Sequence, residues 1–297
     1  MEHHQPQWSY DRHREDELSS SKDQRLPSCY SSPNSIDAWR HERMHRMMSP
    51  LLRACAEATW MTVGDGSYGS DAYFLKRNGA DVLATSLSGA SLAVAKEKGF
   101  LDKFKAENAE CISAPDASFD FVLCKESYHH FPRPAVALYE MLRVARRGVV
   151  LIEPQETSKK PLDYAKDVCK RLIRKDGSRL FEPCGNFIFR VNVRELEKMM
   201  LALNYELIAI RRFNDFYHPR LSAAGYSTFS VPALATKLGI IVQNLLCALK
   251  VLDYGLACIV VFKQVPPENL RHELRRHGFQ LRHLPSNPYL RQGESPG

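Results

Sequence analysis

The chain has 297 residues, 44% of them hydrophobic and 25% charged, with a formal net charge of +7. This is an ordinary globular composition with enough apolar material for a sizeable core. The basic residues form no dense block, which argues against nucleic-acid binding. None of the eight cysteines forms a C-x-x-C pair, which argues against a disulfide framework and predicts a cytoplasmic location.

The first part of the chain differs in composition from the rest. Residues 1–49 hold polar, Ser-rich clusters and no apolar segment of the kind found in signal peptides. They are predicted to form a flexible, partly helical extension. Residues 35–55 suit one or two short helices, with Pro50 as a break.

Short apolar runs alternate with amphipathic stretches from residue 59 onward. Strands and helices that alternate at this pace indicate a parallel sheet with helices on both faces. The helices predicted between the strands end at Gly79, Gly99 and Gly148. The predicted strands cover residues 59–63, 82–85, 111–113, 119–124 and 149–152.

The pattern loosens after residue 154. The elements predicted there are a helix over residues 194–203 and strands near residues 206–211 and 256–262. The organisation that we expect is the extension at 1–49, one domain at 50–264 with helical insertions at about 157–195 and 213–252, and a polar C-terminal tail at 265–297.

An apolar stripe recurs at helical spacing before the last of these strands. We predict a helix packed on the domain, and a membrane-surface helix or a dimer contact is the alternative. Asn244 and Lys250 interrupt the stretch, so no transmembrane segment is expected. The stripe consists of Leu238, Ile241, Val242, Leu245, Leu246, Leu249 and Leu252.

Residues 64–69 read Gly-Asp-Gly-Ser-Tyr-Gly and directly follow the first predicted strand. In a G-x-G-x-x-G turn, the glycines permit a tight bend and let the backbone approach a nucleotide-like ligand closely. The motif alone does not choose between ligands, because NAD-dependent dehydrogenases share it and a glycine turn also occurs in purely structural roles.

Two downstream segments carry a family resemblance. The stretches ENAECISAPDASFDFVLCKESYHHFPRP and LRVARRGVVLIEP resemble class I S-adenosylmethionine-dependent methyltransferases of the type 11, quinone-biosynthesis-like superfamily, including uncharacterised bacterial members. The resemblance covers residues 59–154, is looser through 186–205 and the final strand at 256–262, and leaves out the first fifty residues. It implies an α/β, Rossmann-like fold with a mainly parallel seven-stranded sheet. It also implies S-adenosyl-L-methionine as cofactor and methyl transfer to a small-molecule acceptor, preferably at oxygen.

The resemblance further implies roles for individual residues. Gly64, Gly66 and Gly69 are expected to line the methionine and ribose parts of the cofactor, with Asp65 in the same turn. The remaining cofactor contacts that it implies are Ser86 at the ribose, Leu87 at the adenine, Asn108 and Ala109 near the adenine amino group, and Lys125 and Glu126 at the methionine end.

Two positions depart from the family pattern. Thr62 stands where an acidic residue is common, with Asp65 as its nearest substitute, and Ser86 replaces the acid that accepts from both ribose hydroxyls. Loss of a charged hydrogen-bond partner typically costs about 1.5–3 kcal/mol. The departures therefore predict that Ser86→Asp tightens cofactor binding about tenfold.

Three functions stay open at this point. The first is methyl transfer, by a monomer or homodimer. The second is a non-catalytic, methyltransferase-like binding domain, which the two departures allow. The third is an NAD(P)-dependent oxidoreductase, which Ser86 disfavours because NAD needs an acid there and no Arg follows to suit NADP.

Two pairs of histidines are candidates for a catalytic site or a metal site. His129 and His130 are the candidate catalytic residues, since transfer to oxygen or nitrogen often needs a general base, and packing against the sheet is the alternative. His41 and His45 form an H-E-x-x-H motif typical of zinc proteases. It lies outside the predicted domain and has no third ligand nearby in sequence, so we predict a solvated helix face without a metal.

Overall fold

The computed structural model describes residues 5–22, 26–157, 160–162, 164–165, 168, 180–181 and 186–289. The strands are β1 (Thr59–Thr62), β2 (Asp81–Ser86), β3 (Phe104–Ala106), β4 (Phe119–Lys125), β5 (Ala145–Pro154), β6 (Leu207–Phe213), β7 (Leu256–Phe262) and β8 (Gln280–His283). The helices described are α1 (Gln5–Lys22), α2 (Ser28–Ser31), α3 (Ile36–His45), α4 (Ser49–Ala54), α5 (Ser70–Arg77), α6 (Ala90–Glu97), α7 (Pro134–Val144), α8 (Val193–Ala202), α9 (Pro219–Ser222), α10 (Val231–Ala248) and α11 (Glu268–Arg276). Short 3₁₀ turns lie at Arg46–Met48 and Tyr128–His130.

The strands form one mixed sheet in the order β3-β2-β1-β4-β5-β7-β6-β8. Strands β1 to β5 are parallel, whereas β7 runs antiparallel to both of its neighbours. Separate apolar cores cover the two faces, one including residues of α5 and the other residues of α7. The predicted α/β fold, with a mainly parallel sheet and helices on both faces, is confirmed.

The third strand was predicted at the wrong position. The structure has β3 at Phe104–Ala106, paired in parallel with β2. The apolar run at 111–113 instead follows a tight turn, in which the Cys111 amide donates to the Asn108 carbonyl at 3.0 Å. The true strand is a short edge strand with exposed positions, so its sequence lacks the apolar signal on which the prediction relied.

The sheet also has eight strands rather than seven. The extra strand, β8, pairs antiparallel with β6, in the stretch where we expected a polar tail. Helix α11 precedes it and buries Leu270 and Leu274 in the core. Because an amphipathic helix and an edge strand both expose half of their residues, this stretch reads as polar in sequence. The insertion expected at 157–195 lies mostly outside the described residues.

The N-terminal extension lies on the domain. Helix α3 buries Ile36, Met44 and His45, with His45 only 4% exposed, so the prediction of a solvated face for this helix is wrong. Pro50 lies in the first turn of α4, where its missing amide costs no hydrogen bond. Helix α1 packs along α6 and lies across the edge of the sheet where the parallel strands end.

Five of the seven residues of the apolar stripe are exposed, and of the seven only Leu252, which follows α10, is buried, so the prediction that the stripe packs on the domain is also wrong. Leu238, Ile241 and Leu245 are each about 60% exposed, whereas Ala233 and Thr236 face the domain. By length and composition alone, α10 is long and apolar enough to cross a membrane, a test that buried helices of soluble proteins also pass. Among the described residues no other helix passes it.

Candidate active site

The glycine turn links β1 to α5 at the edge where the parallel strands end. Gly64 has φ +74°, and a Cβ there would lie 2.6 Å from the Cβ of Ser127, so only glycine fits. Ser91 Oγ donates to the Gly66 carbonyl at 2.7 Å and holds the middle of the turn. Gly69 lies behind the turn, where a Cβ would be 2.5 Å from Leu101, so this glycine permits packing.

Asp65 holds the turn together from inside. Its carboxylate accepts from Thr62 Oγ1 at 2.9 Å and from the backbone amides of Asp71 and Ala72 at 3.2 and 2.9 Å. Burial, and then the nearby Asp71 carboxylate, raise the pKa of Asp65 well above its usual value. Both oxygens are therefore occupied at the start of α5. Asp65 therefore has no free carboxylate to offer a ligand, and it does not take over the role of the acidic residue that is missing at Thr62.

A cleft in two adjoining compartments opens above the turn. The compartments share His13, Gly64, Ser127 and His130. The outer compartment is narrow and is lined further by Leu87, Asn108, Ala109, Glu110 and Phe131, together with Tyr10 and Glu17 of α1. The inner compartment has a volume of about 510 Å³ and is lined further by Asp65, Gly66, Ser67, Asp71, Lys125 and Glu126, with Asp16 of α1 and His41 of α3.

Buried charges form one side of the inner compartment. Lys125 Nζ lies 2.9 Å from Glu126 Oε2 and 3.4 Å from Asp71 Oδ1. His45 Nε2 lies 2.7 Å from the same Asp71 oxygen, and His41 Nδ1 lies 3.5 Å from Glu126 Oε2. Both histidines of the H-E-x-x-H motif therefore lie against carboxylates of this cluster. Nowhere in the described part of the chain do three His, Cys, Asp or Glu side chains converge on a metal position.

The cluster shifts the pKa values of its members. Burial alone raises the pKa of Asp71, but Lys125 and the hydrogen bond from His45 outweigh it and lower that pKa to about 2. Likewise, burial opposes ionisation of Glu126, and Lys125 and His41 lower its pKa to about 2. Both values lie below the usual unfolded ones of about 4. These carboxylates therefore stabilise the fold at neutral pH, and that contribution is lost as the pH falls from about 4 toward 2.

The two histidines after β4 face different surroundings. His129 Nδ1 lies 2.7 Å from Glu153 Oε2, and Glu153 is fully buried. The other oxygen of Glu153 accepts from the amides of Ser127 and Tyr128 at 2.8 and 2.9 Å and so holds the turn in place. His130 lines both compartments, whereas His129 lines neither. The rings of His129 and His130 lie 3.9 Å apart between centroids.

Comparison with known proteins identifies the part of the chain that carries this cleft. Residues 61–152 match a family model described as a methyltransferase domain. This part of the chain is a methyltransferase domain. The matched segment runs from β1 to β5 and therefore includes the glycine turn, the end of β2 and the turn after β4.

Individual relatives match over different lengths. A 2-methyl-6-phytyl-1,4-hydroquinone methyltransferase from Synechocystis is 32% identical over 123 residues, which cover 39% of this chain and 39% of that protein. A SAM-dependent methyltransferase from Archaeoglobus fulgidus has a TM-score of 0.49 at 14% identity, covering 75% of this chain and 94% of the other. A magnesium protoporphyrin IX methyltransferase from Synechocystis, with bound SAH, has a TM-score of 0.47 at 15% identity, covering 76% and 85%.

The methyltransferase domain brings together most of the residues expected at the site. Gly64, Asp65, Gly66, Leu87, Asn108, Ala109, Lys125, Glu126 and His130 all line the cleft. Ser86 is only 1% exposed, and its hydroxyl accepts from the Gly89 amide at 3.2 Å. Gly69 and His129 stand behind the wall of the cleft.

Sequence reasoning missed three acids in and behind the wall of the cleft. Glu17 reaches the end of β2 from helix α1, and its Oε2 accepts from the Ser88 amide at 2.9 Å. Glu110 accepts from the Tyr10 hydroxyl and from Arg133 Nε, both at 2.5 Å, and so joins α1 to the start of α7. Glu153 positions His129, as described above. Glu17 and Glu110 lie in polar stretches, and no local pattern distinguishes either from a solvated acid.

Replacement of Lys125 by methionine is expected to destabilise the methyltransferase domain by about 3–5 kcal/mol, because Asp71 is left buried without its cation. Urea unfolding at pH 7 measures the change. Lys103→Met is the matched control, since Lys103 and its partner Asp81 are both more than half exposed, and such a surface pair is worth about 1 kcal/mol or less. Equal losses in the two variants would contradict a structural role for the buried cluster.

Proposed function

We propose that this chain transfers the methyl group of S-adenosyl-L-methionine to a small-molecule acceptor. The observation that carries the proposal is the glycine turn, which lies in the matched methyltransferase segment and lines a two-compartment cleft. The curated relative is matched over only 39% of its length, so its substrate is a guide to the class of acceptor and no more.

The residues of the cleft suit the parts of this cofactor. Leu87 and Ala109 offer apolar contact to an adenine ring, and the Asn108 side chain has groups that both donate and accept. Gly64 and Gly66 line the cleft without a side chain, and we place the ribose and methionine parts beside them. Lys125 and Glu126 border the methionine end, although each is already paired with the other.

For methyl transfer, the protein mainly has to orient the acceptor and exclude water. The bound cofactor supplies a methyl group that is already strongly electrophilic. The walls of the cleft hold the acceptor in line and keep water out, and α1 closes the open side. His130 accepts the proton of an oxygen or nitrogen acceptor. His129 is a positioning residue in this proposal, because Glu153 holds one ring nitrogen and its ring packs on that of His130.

Oxygen is the acceptor atom that we propose. A base at His130 serves an acidic hydroxyl, such as that of a phenol, whereas transfer to a basic amine needs less help. The relative whose name describes a hydroquinone substrate agrees with an aromatic acceptor, and its name does not specify the acceptor atom. A cytoplasmic location belongs to the same proposal, supported by six free cysteines among the described residues, three of them buried within the sheet or its cores.

Calorimetry tests the proposal directly. S-adenosylmethionine and S-adenosylhomocysteine are expected to bind the purified full chain at micromolar concentrations, with one molecule per chain, and NADH and NADPH to give no heat of binding. Release of S-adenosylhomocysteine in the presence of a panel of phenols and quinols then measures transfer. Binding of NADH or NADPH in place of the two sulfur nucleotides would overturn the proposal. Binding without turnover on any acceptor would favour the non-catalytic alternative.

A further inference from the structure

The end of β2 lacks a carboxylate of its own. In open α/β sheets with a G-x-G-x-x-G turn, an acidic residue about 20 residues further on accepts hydrogen bonds from a ribose hydroxyl. Here that position is Ser86, which is buried and neutral. A hydroxyl makes weaker contacts than a carboxylate, whose two oxygens accept charge-assisted bonds. The strand itself therefore leaves the ribose position without an anionic acceptor.

A carboxylate from another part of the chain lies at this place. Glu17 Oε2 accepts from the Ser88 amide at 2.9 Å and lies 3.4 Å from Ser86 Oγ. On the other side, a Cβ added to Gly66 would be 2.9 Å from Glu17 Oε1. The carboxylate thus lies between the glycine turn and the end of β2. Its Oε1 accepts no hydrogen bond from the residues that the structure describes.

Specific contacts hold α1 over the cleft. The Tyr10 hydroxyl donates to Glu110 at 2.5 Å, and Ser9 donates to the buried side chain of Asn186. The His13 ring meets the edge of His130, with the ring centroids 5.6 Å apart. These residues lie on the same helix as Glu17 and fix its face toward the site. Glu17 is therefore placed by polar contacts with residues of the cleft.

We propose that Glu17 of α1 supplies the carboxylate that accepts the ribose hydroxyls of the cofactor, in place of the acid missing from β2. This inference rests on the proposed function, because it assumes a cofactor with a ribose in this cleft. Glu17 Oε2 is fixed by the Ser88 amide, and Oε1 is turned toward the turn at Gly66. The same helix thereby carries both the ribose acceptor and part of the cleft wall.

The proposal changes the expectation for Ser86→Asp. In the wild-type background, an aspartate at this position places a second carboxylate against Glu17, and two like charges in one site oppose each other. Tenfold tighter binding is therefore no longer expected for the single variant. In a Glu17→Gln background, Ser86→Asp is expected to restore the affinity that the glutamine removes.

Binding of S-adenosylhomocysteine, measured by calorimetry, tests the role of Glu17. Glu17→Gln is expected to weaken binding by about tenfold or more, because one charge-assisted acceptor is lost. Glu15→Gln is the matched control on the same helix, since Glu15 is exposed and pairs only with Arg12 at 3.4 Å; it is expected to leave the affinity unchanged. Far-ultraviolet circular dichroism confirms that each variant is folded.

A ligand without ribose hydroxyls gives an independent readout. The 2′,3′-dideoxy analogue of S-adenosylhomocysteine is expected to bind wild type about tenfold more weakly than S-adenosylhomocysteine does. The Glu17→Gln variant is expected to bind the analogue and S-adenosylhomocysteine with nearly equal affinity. Unchanged or tighter binding by Glu17→Gln would overturn the proposal and would show that α1 obstructs the site. Failure of wild type to bind S-adenosylhomocysteine at all would instead overturn the proposed function, and this inference with it.

Discussion

Gly66→Val is expected to abolish binding of S-adenosylhomocysteine while the protein stays folded. Gly66 has no positive φ, and the three atoms nearest to an added Cβ belong to the flexible side chain of Glu17. A valine there forces the Glu17 carboxylate away from the glycine turn and fills the space beside it, where we place the ribose. We expect a loss of at least about a hundredfold, or about 2.8 kcal/mol, measured by calorimetry.

Gly225→Val is the control for this change. A Cβ at Gly225 meets nothing within 4 Å, and the position has no positive φ, so the same substitution is made in open space. Its affinity for S-adenosylhomocysteine is expected to equal that of wild type. If Gly66→Val binds with wild-type affinity, the cofactor does not approach the backbone at this turn, and the site is misplaced.

His130→Ala is expected to lower the maximal rate of methyl transfer by about a hundredfold or more, the usual contribution of a positioned general base. Its ring lines both compartments of the cleft, beside the glycine turn and the end of β4. Affinity for S-adenosylhomocysteine is expected to change little, because the base acts on the acceptor. The measurement is the rate of S-adenosylhomocysteine release at saturating acceptor.

Two further variants distinguish a catalytic role of His130 from a purely structural role. His129→Ala removes a ring that Glu153 holds away from the cleft and is expected to lower the rate less than His130→Ala does. His283→Ala is the control, since His283 lies on the exposed edge of β8, far from these residues in the sheet order, and is expected to leave the rate unchanged. Full activity of His130→Ala would show that the pair is structural and that catalysis here is mainly positioning.

Local patterns determined much of the fold. Strand β4 lies at Phe119–Lys125, where the sequence predicted residues 119–124, because a central parallel strand is buried on both faces and reads as a continuous apolar run. The G-x-G-x-x-G turn was found in the same way, since a tight turn restricts residue types at fixed spacing. Both features depend on neighbours in sequence, and for that reason a single sequence reveals them.

The local sequence did not predict the strands at the two edges of the sheet. Strand β3 is short and largely exposed, so the apolar run at 111–113 was a stronger signal than the true strand at Phe104–Ala106. Strand β8 and helix α11 expose half of their residues and were taken as a tail. The apolar stripe of α10 was recognised correctly as helical, but periodicity gives the face of a helix and not the direction in which it points.

The candidate site, like the fold, has features that the sequence predicts and others that only the tertiary structure shows. The sequence by itself determined the glycine turn, the end of β4 and the absence of an acid at Ser86, because these are properties of single short segments. Only the tertiary structure decided that Glu17, 69 residues before Ser86, lies beside it. The contact depends on where α1 lies on the domain, which is set by scattered polar contacts of Ser9, Tyr10 and His13. Such contacts leave no periodic trace in a polar helix, so a glutamate at the cleft and a glutamate in solvent look alike in sequence.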